Sequence, residues 1–142
     1  MQAWNGGIGT VKRIVTWAVA LTFTLGLYAP GVAQAHVGEI NTRLSMAVSD
    51  RTPNDGQRVV FRGALKSKNR RCFRNQQIQI LRNGNVFTTT RTNNRGRYRV
   101  VKKVTQSGRY RARFNGFGPF GTHPHSHTCK PSQSPQIRIR VN

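Results

Sequence analysis

Acidic side chains are almost missing from this 142-residue chain: Glu39, Asp50 and Asp55 stand against 24 lysines and arginines. That shortage excludes most hydrolytic chemistry. A Ser-His-Asp triad needs a buried acid to orient its histidine, and none of the three acids sits at the end of a strand. Asp50 and Asp55 flank a Pro/Asn/Gly stretch where aspartate is ordinary turn chemistry. Helical periodicity is scarce too. No glycine-rich loop leads into a helix to cradle phosphate, and no recognition helix is available to read a DNA groove. The chain reads as a non-enzyme with no small-molecule substrate indicated.

The first residues carry an export pattern. Lys12 and Arg13 precede an apolar run over residues 14–29, followed by Pro30 and Gly31, and Ala33-Gln34-Ala35 is a small-x-small cleavage site. The run is shorter than the roughly 20 residues a membrane span needs, although an uncleaved anchor is the alternative. Residues 1–35 therefore read as a signal peptide for the general secretory route, and residues 36–142 as one secreted, extracellular or cell-surface domain. Without Lys12 and Arg13 that domain keeps 22 of the 24 basic residues against 3 acids, a formal charge of +19. Cys72 and Cys129 form an even pair, which in an exported chain favours a disulfide.

Alternation at period two dominates the rest. Seven segments show it: residues 42–48, 57–65, 76–82, 85–91, 97–104, 108–114 and 136–141. Asn83-Gly84 predicts a tight type I′ hairpin between the third and fourth, because both residues tolerate positive φ. Apolar Val59, Phe61, Leu65, Ile78, Ile80, Tyr98, Tyr110, Ala112, Phe114, Ile137 and Ile139 take one face of their strands. The expectation is an all-β, immunoglobulin-like (Greek-key) two-sheet sandwich of about seven strands. Tyr110 follows a glycine by two positions at the start of a late strand, the setting of a tyrosine corner. Residues 115–134 show no period and read as a long loop, whose Phe117 and Phe120 form an exposed tip or cap the sandwich.

A resemblance adds to this. Thr88-Thr89-Thr90, then Asn93-Asn94-Arg95-Gly96-Arg97-Tyr98, then Ser107-Gly108-Arg109-Tyr110-Arg111 is similar to secreted bacterial immunoglobulin-like modules of the carboxypeptidase-regulatory-like and transthyretin-like type. The similarity covers residues 57–141. It implies a β-sandwich with a cysteine in an early loop and another before the last strand, as at Cys72 and Cys129. It implies no activity, and Asn93 and Asn94 replace the aspartate common in that turn.

Two sets of side chains remain as candidate sites. Arg97, Arg99, Arg109, Arg111, Arg113, Arg138 and Arg140 occupy alternate strand positions and so line outer faces. Strands 108–114 and 136–141 are neighbours in an immunoglobulin-like order, which gathers five of these arginines on one face. Like charges opposite one another are destabilising, and guanidinium groups suit bidentate contact with phosphate, sulfate or carboxylate. The partner expected is an anionic polymer or surface: cell wall, glycan, lipid or nucleic acid without sequence reading. The histidines His36, His123, His125 and His127 offer the alternative of a copper or zinc protein, since imidazole suits both metals and His36 begins the cleaved chain. Otherwise no cofactor is expected. A third possibility is a structural or partner-binding surface domain whose charge is incidental. N-terminal sequencing of the exported protein should return His36; any other first residue removes the amine chelate from the copper alternative.

Overall fold

The computed structural model describes residues 36–122 and 125–142, and the side chains from Val37 onward. Residues 1–35, read from the sequence as a signal peptide, and His123 lie outside the described residues. The strands run in the order β1 (His36–Ile40), β2 (Thr42–Leu44), β3 (Ala47–Val48), β4 (Gln57–Ser67), β5 (Gln77–Arg82), β6 (Asn85–Arg91), β7 (Arg97–Val104), β8 (Gly108–Phe114), β9 (Phe117–Phe120), β10 (His125–Cys129), β11 (Ser132–Gln133) and β12 (Ile137–Ile139). One 3-10 turn, Arg70–Cys72, precedes β5. No helix among the described residues is long and apolar enough to cross a membrane.

Alternation decides the layers. In the first sheet β4 pairs with β2 and β3 on one side and β7 on the other; in the second, β8 lies between β5 and the β11/β12 edge, with β6 beside β5. β7 returns to β4 and β8 returns to β5, the crossed connections of a Greek key. Val59, Phe61, Leu65 and Tyr98 from the first sheet meet Ile78, Ile80, Tyr110, Ala112, Phe114 and Ile139 from the second in one buried core. Phe61, Phe87 and Tyr110 form an aromatic cluster with ring centroids 5.5–6.0 Å apart, a spacing at which tilted rings attract beyond simple burial. The all-β, immunoglobulin-like sandwich expected from the pattern is present.

Local chemistry fixes the register. Asn83 and Gly84 both take positive φ, 51° and 93°, and Arg82 faces Asn85 across a two-residue turn. That is the type I′ geometry, whose twist matches the strands it joins. The Asn83 side chain also accepts from the Arg109 backbone N–H at 2.9 Å, tying the hairpin tip to β8. The Tyr110 hydroxyl donates to the Gln106 carbonyl at 3.2 Å, four residues upstream, as a tyrosine corner does. Burial lifts its phenol above the usual 10.0, while the neighbouring Arg82 guanidinium pulls the other way. Tyr98 donates to the Ser45 carbonyl at 2.7 Å, and burial raises its phenol far above the usual 10.0. Both stay neutral donors at physiological pH.

Besides β1, which the alternation does not mark, three segments differ from the sequence expectation. Residues 42–48 split into β2 and β3 at Ser45-Met46. The Ser45 N–H still donates to the Ala64 carbonyl at 3.0 Å, but the Ser45 carbonyl is taken by Tyr98 and the Ala64 N–H donates instead to the Ser45 hydroxyl at 3.1 Å, so half of the ladder there passes through side chains. The last strand shortens to Ile137–Ile139. Beyond it the Arg140 backbone N–H donates to the Arg51 carbonyl and that of Val141 to the Ser107 hydroxyl. Residues 115–134 are not one long loop but contain β9, β10 and β11. β10 pairs antiparallel with β9 and parallel with β1, giving a third sheet, and β11 joins the edge of β8. Gly116, Gly118 and Pro119 hide β9 from any reading of alternation, since such residues are depleted in strands.

Cys72 and Cys129 are bonded, closing 57 residues. The bond ties β10, and with it the third sheet, to the 3-10 turn ahead of β5. Loop closure of this length constrains the unfolded chain by about 4 kcal/mol. Replacing both cysteines by serine should therefore lower the unfolding free energy by about 4 kcal/mol in denaturant titration, with the third sheet losing amide-exchange protection first. A loss below about 1 kcal/mol would contradict a structural role for the bond.

Candidate anion-binding surface

β8 carries the two halves of the molecule's chemistry on its two faces. Tyr110, Ala112 and Phe114 point into the core, so Arg109, Arg111 and Arg113 must point outward. β12 lies antiparallel to β8 with Arg138 opposite Arg109. Two guanidinium groups thus face each other across the ladder with no acid beside them. Arg109, Arg111 and Arg113, with Gln133 and Gln136, line a shallow depression of about 500 Å³. Arg140 follows β12 and is exposed, but it has left the register with β8.

The partners of these arginines are neutral. Arg113 donates through Nε and Nη2 to Gln79 Oε1 at 3.0 and 2.8 Å. Arg111 donates through Nη1 to Gln133 Oε1 at 2.6 Å. Arg74 donates to Asn94 Oδ1 at 3.1 Å, and Arg91 to the Asn75 carbonyl at 3.1 Å. An amide oxygen restricts the guanidinium plane without cancelling its charge. The single ion pair among the described residues joins Lys130 to Glu39 at 2.6 Å, with both side chains about half exposed. Such a surface pair contributes under about 1 kcal/mol. Asp50 is spent on its own turn, accepting from the Thr52 N–H at 2.8 Å.

The Arg113–Gln79 contact joins this depression to a larger groove on the same side of the sheet. The groove encloses about 910 Å³ and is lined by Gln79 together with Arg70, Arg71, Arg74, Arg91, Phe117 and Phe120. Three of its arginines come from the 3-10 turn and the residues after it, where no alternation marks them in the sequence. A local signal did exist: Arg70, Arg71 and Arg74 surround Cys72, whose disulfide partner closes β10 beside β9. Phe117 and Phe120 stack with centroids 5.6 Å apart and planes at 23°. The Arg71 guanidinium lies 5.6 Å from the centre of the Phe120 ring, at cation-π distance.

Arg97 and Arg99 belong elsewhere. They lie on β7 in the first sheet, with Arg99 opposite Arg62, Lys103 opposite Arg58 and, on β2, Arg43 opposite Lys66. The seven arginines of the sequence pattern are therefore divided between two sheets. Both outer faces are basic; that of the second sheet reaches the groove through Gln79, while Arg91, which lines the groove, also borders a depression of about 700 Å³ with Arg62, Arg97 and Arg99 of the first sheet.

The histidines gather by backbone pairing. β1 and β10 run parallel with His36 opposite His125 and Gly38 opposite His127. A Cβ on Gly38 would come within 2.6 Å of His127 Nδ1, so glycine is what lets that imidazole lie across β1. Phe120 flanks the same ring at 6.0 Å between centroids. His125–Cys129 is thus a strand, where the sequence suggested a loop. Among the described residues, no group of three His, Cys, Asp or Glu side chains converges as a metal site would require.

No family model, curated protein or solved structure matches this chain.

Proposed function

We propose that this chain is an exported, non-catalytic module that holds an anionic polymer along the outer face of its second sheet. The observation that carries this reading is the row of guanidinium groups on β8 and β12, matched by amides and facing one another without a carboxylate. Each like-charge ladder pair costs of order 0.5–1 kcal/mol in water-like surroundings. A polymer carrying phosphate, sulfate or carboxylate groups would relieve several such pairs at once, and guanidinium forks suit those groups bidentately. Between Arg109 and Arg113 the row spans about 13 Å at roughly 3.3 Å per residue, which suits an extended ligand better than a single small ion. The similarity to secreted carboxypeptidase-regulatory-like and transthyretin-like modules belongs to the same reading, since such modules serve as accessory and adhesive domains.

Retention on a sulfated or phosphate-rich matrix should fall steeply with salt, because bound polyanion releases its counterions. Replacing Arg109, Arg111, Arg113 and Arg138 by Gln should lower the slope of log K against log salt by up to about 4, one for each charge removed. Replacing Arg62, Arg97 and Arg99 on the other sheet should change it less. Gln79→Glu should raise the melting temperature by pairing Arg113 and at the same time weaken retention. A charge that is incidental to a structural role predicts retention indifferent to salt and to all these substitutions, and that result would remove the proposal.

The parallel register of β1 and β10 supports a second reading, a copper or zinc site using His125 and His127 beside His36. Imidazoles two apart on a strand share a face, and Gly38 leaves room for one of them. Calorimetric titration of Cu(II) or Zn(II) should show at least a tenfold weaker affinity in His125→Ala and His127→Ala than in wild type. Equal titrations in all three proteins would dispose of this reading.

A further inference from the structure

We infer that the groove closed by Phe117 and Phe120 is a saccharide subsite, and that the polymer held by the second sheet is an anionic polysaccharide. The inference rests on the anionic-polymer reading above and adds the chemistry of the repeating unit. Phosphate, sulfate or carboxylate alone needs only cations, yet this groove sets an aromatic platform among four of them. Phe117 is 43% exposed and stacks on half-buried Phe120. The electron-rich face of an aromatic ring attracts groups of partial positive charge, and the C–H face of a pyranose ring is such a group.

Arg70, Arg71, Arg74 and Arg91 line the same groove, within reach of acidic substituents on the sugar that covers Phe117. Amide side chains complete the lining: Gln76, Gln77, Asn94 and Asn115. Amides both donate and accept, which sugar hydroxyls require and a bare polyphosphate does not. A volume of about 910 Å³ falls in the usual range of ligand pockets, about 300–1,000 Å³. Single-stranded nucleic acid is favoured less. Its binding sites present aromatic platforms to successive bases, whereas the depression that continues the groove, from Gln79 to Arg109, is lined by no aromatic side chain.

The test compares three probes on the full exported chain: a sulfated, uronate-containing hexasaccharide, linear polyphosphate of matched charge, and oligodeoxythymidylate. Phe117→Ala should weaken the hexasaccharide by about tenfold, in line with the loss of one stacking contact, and leave polyphosphate within about twofold. Phe117→Tyr, which keeps the platform, should hold hexasaccharide affinity near wild type at an unchanged melting temperature. Hexasaccharide affinity that ignores Phe117→Ala, or falls in parallel with polyphosphate, would overturn the subsite while leaving the anionic-polymer reading in place. A larger loss for oligodeoxythymidylate would identify the platform as a base-stacking site and overturn it too. Wild-type protein that binds none of the three probes would overturn both.

Discussion

Repulsion among cations is the constraint on which the rest of this structure depends. The described residues carry 22 lysines and arginines and three acids, and the strand ladders set like charge against like charge at Arg109–Arg138, Arg62–Arg99, Arg58–Lys103 and Arg43–Lys66. A domain of this size is only marginally stable to begin with. What opposes the repulsion is an uninterrupted apolar core between the two sheets and a covalent tie between Cys72 and Cys129. The tie matters because the third sheet has few buried side chains of its own.

The manner in which the arginines are held bears directly on function. A carboxylate beside each guanidinium would stabilise the fold and erase the field outside it. Here amide and carbonyl oxygens occupy that position at Arg74, Arg91, Arg111 and Arg113. The donors keep a defined geometry, and the charge remains available to a ligand. One strand, β8, couples this surface to stability: alternate residues either fill the core or face outward. Substitutions on it should therefore separate by parity, with inward changes affecting folding and outward ones affecting binding.

Much of this was legible in the sequence, for local reasons. Period-two alternation gave the longer strands of both main sheets, though not the two-residue β11, because most of them bury alternate residues. Asn83-Gly84 announced its turn, and the spacing of Gly108 and Tyr110 announced the tyrosine corner. An even cysteine pair behind an expected export signal pointed to the disulfide. What escaped depends on pairing between distant segments. β10 is polar, and its parallel partner β1 lies some ninety residues earlier, so neither carries a mark of its own. The groove arginines at positions 70, 71 and 74 sit in irregular backbone, and the match of Gln79 to Arg113 exists only once the β5–β8 register is set. For the same reason Arg97 and Arg99 could not be assigned to a sheet from their spacing alone.

The claim at the centre is that one face, and not diffuse charge, engages the ligand. Arginine side-chain Nε–Hε resonances followed by NMR during titration with a sulfated oligosaccharide test it directly. Arg109, Arg111, Arg113 and Arg138 should shift and saturate together, joined by Arg74 in the groove, while Arg62, Arg97 and Arg99 on the opposite sheet stay near their free positions. Shifts of equal size on both sheets, or largest at Arg62 and Arg99, would contradict the account.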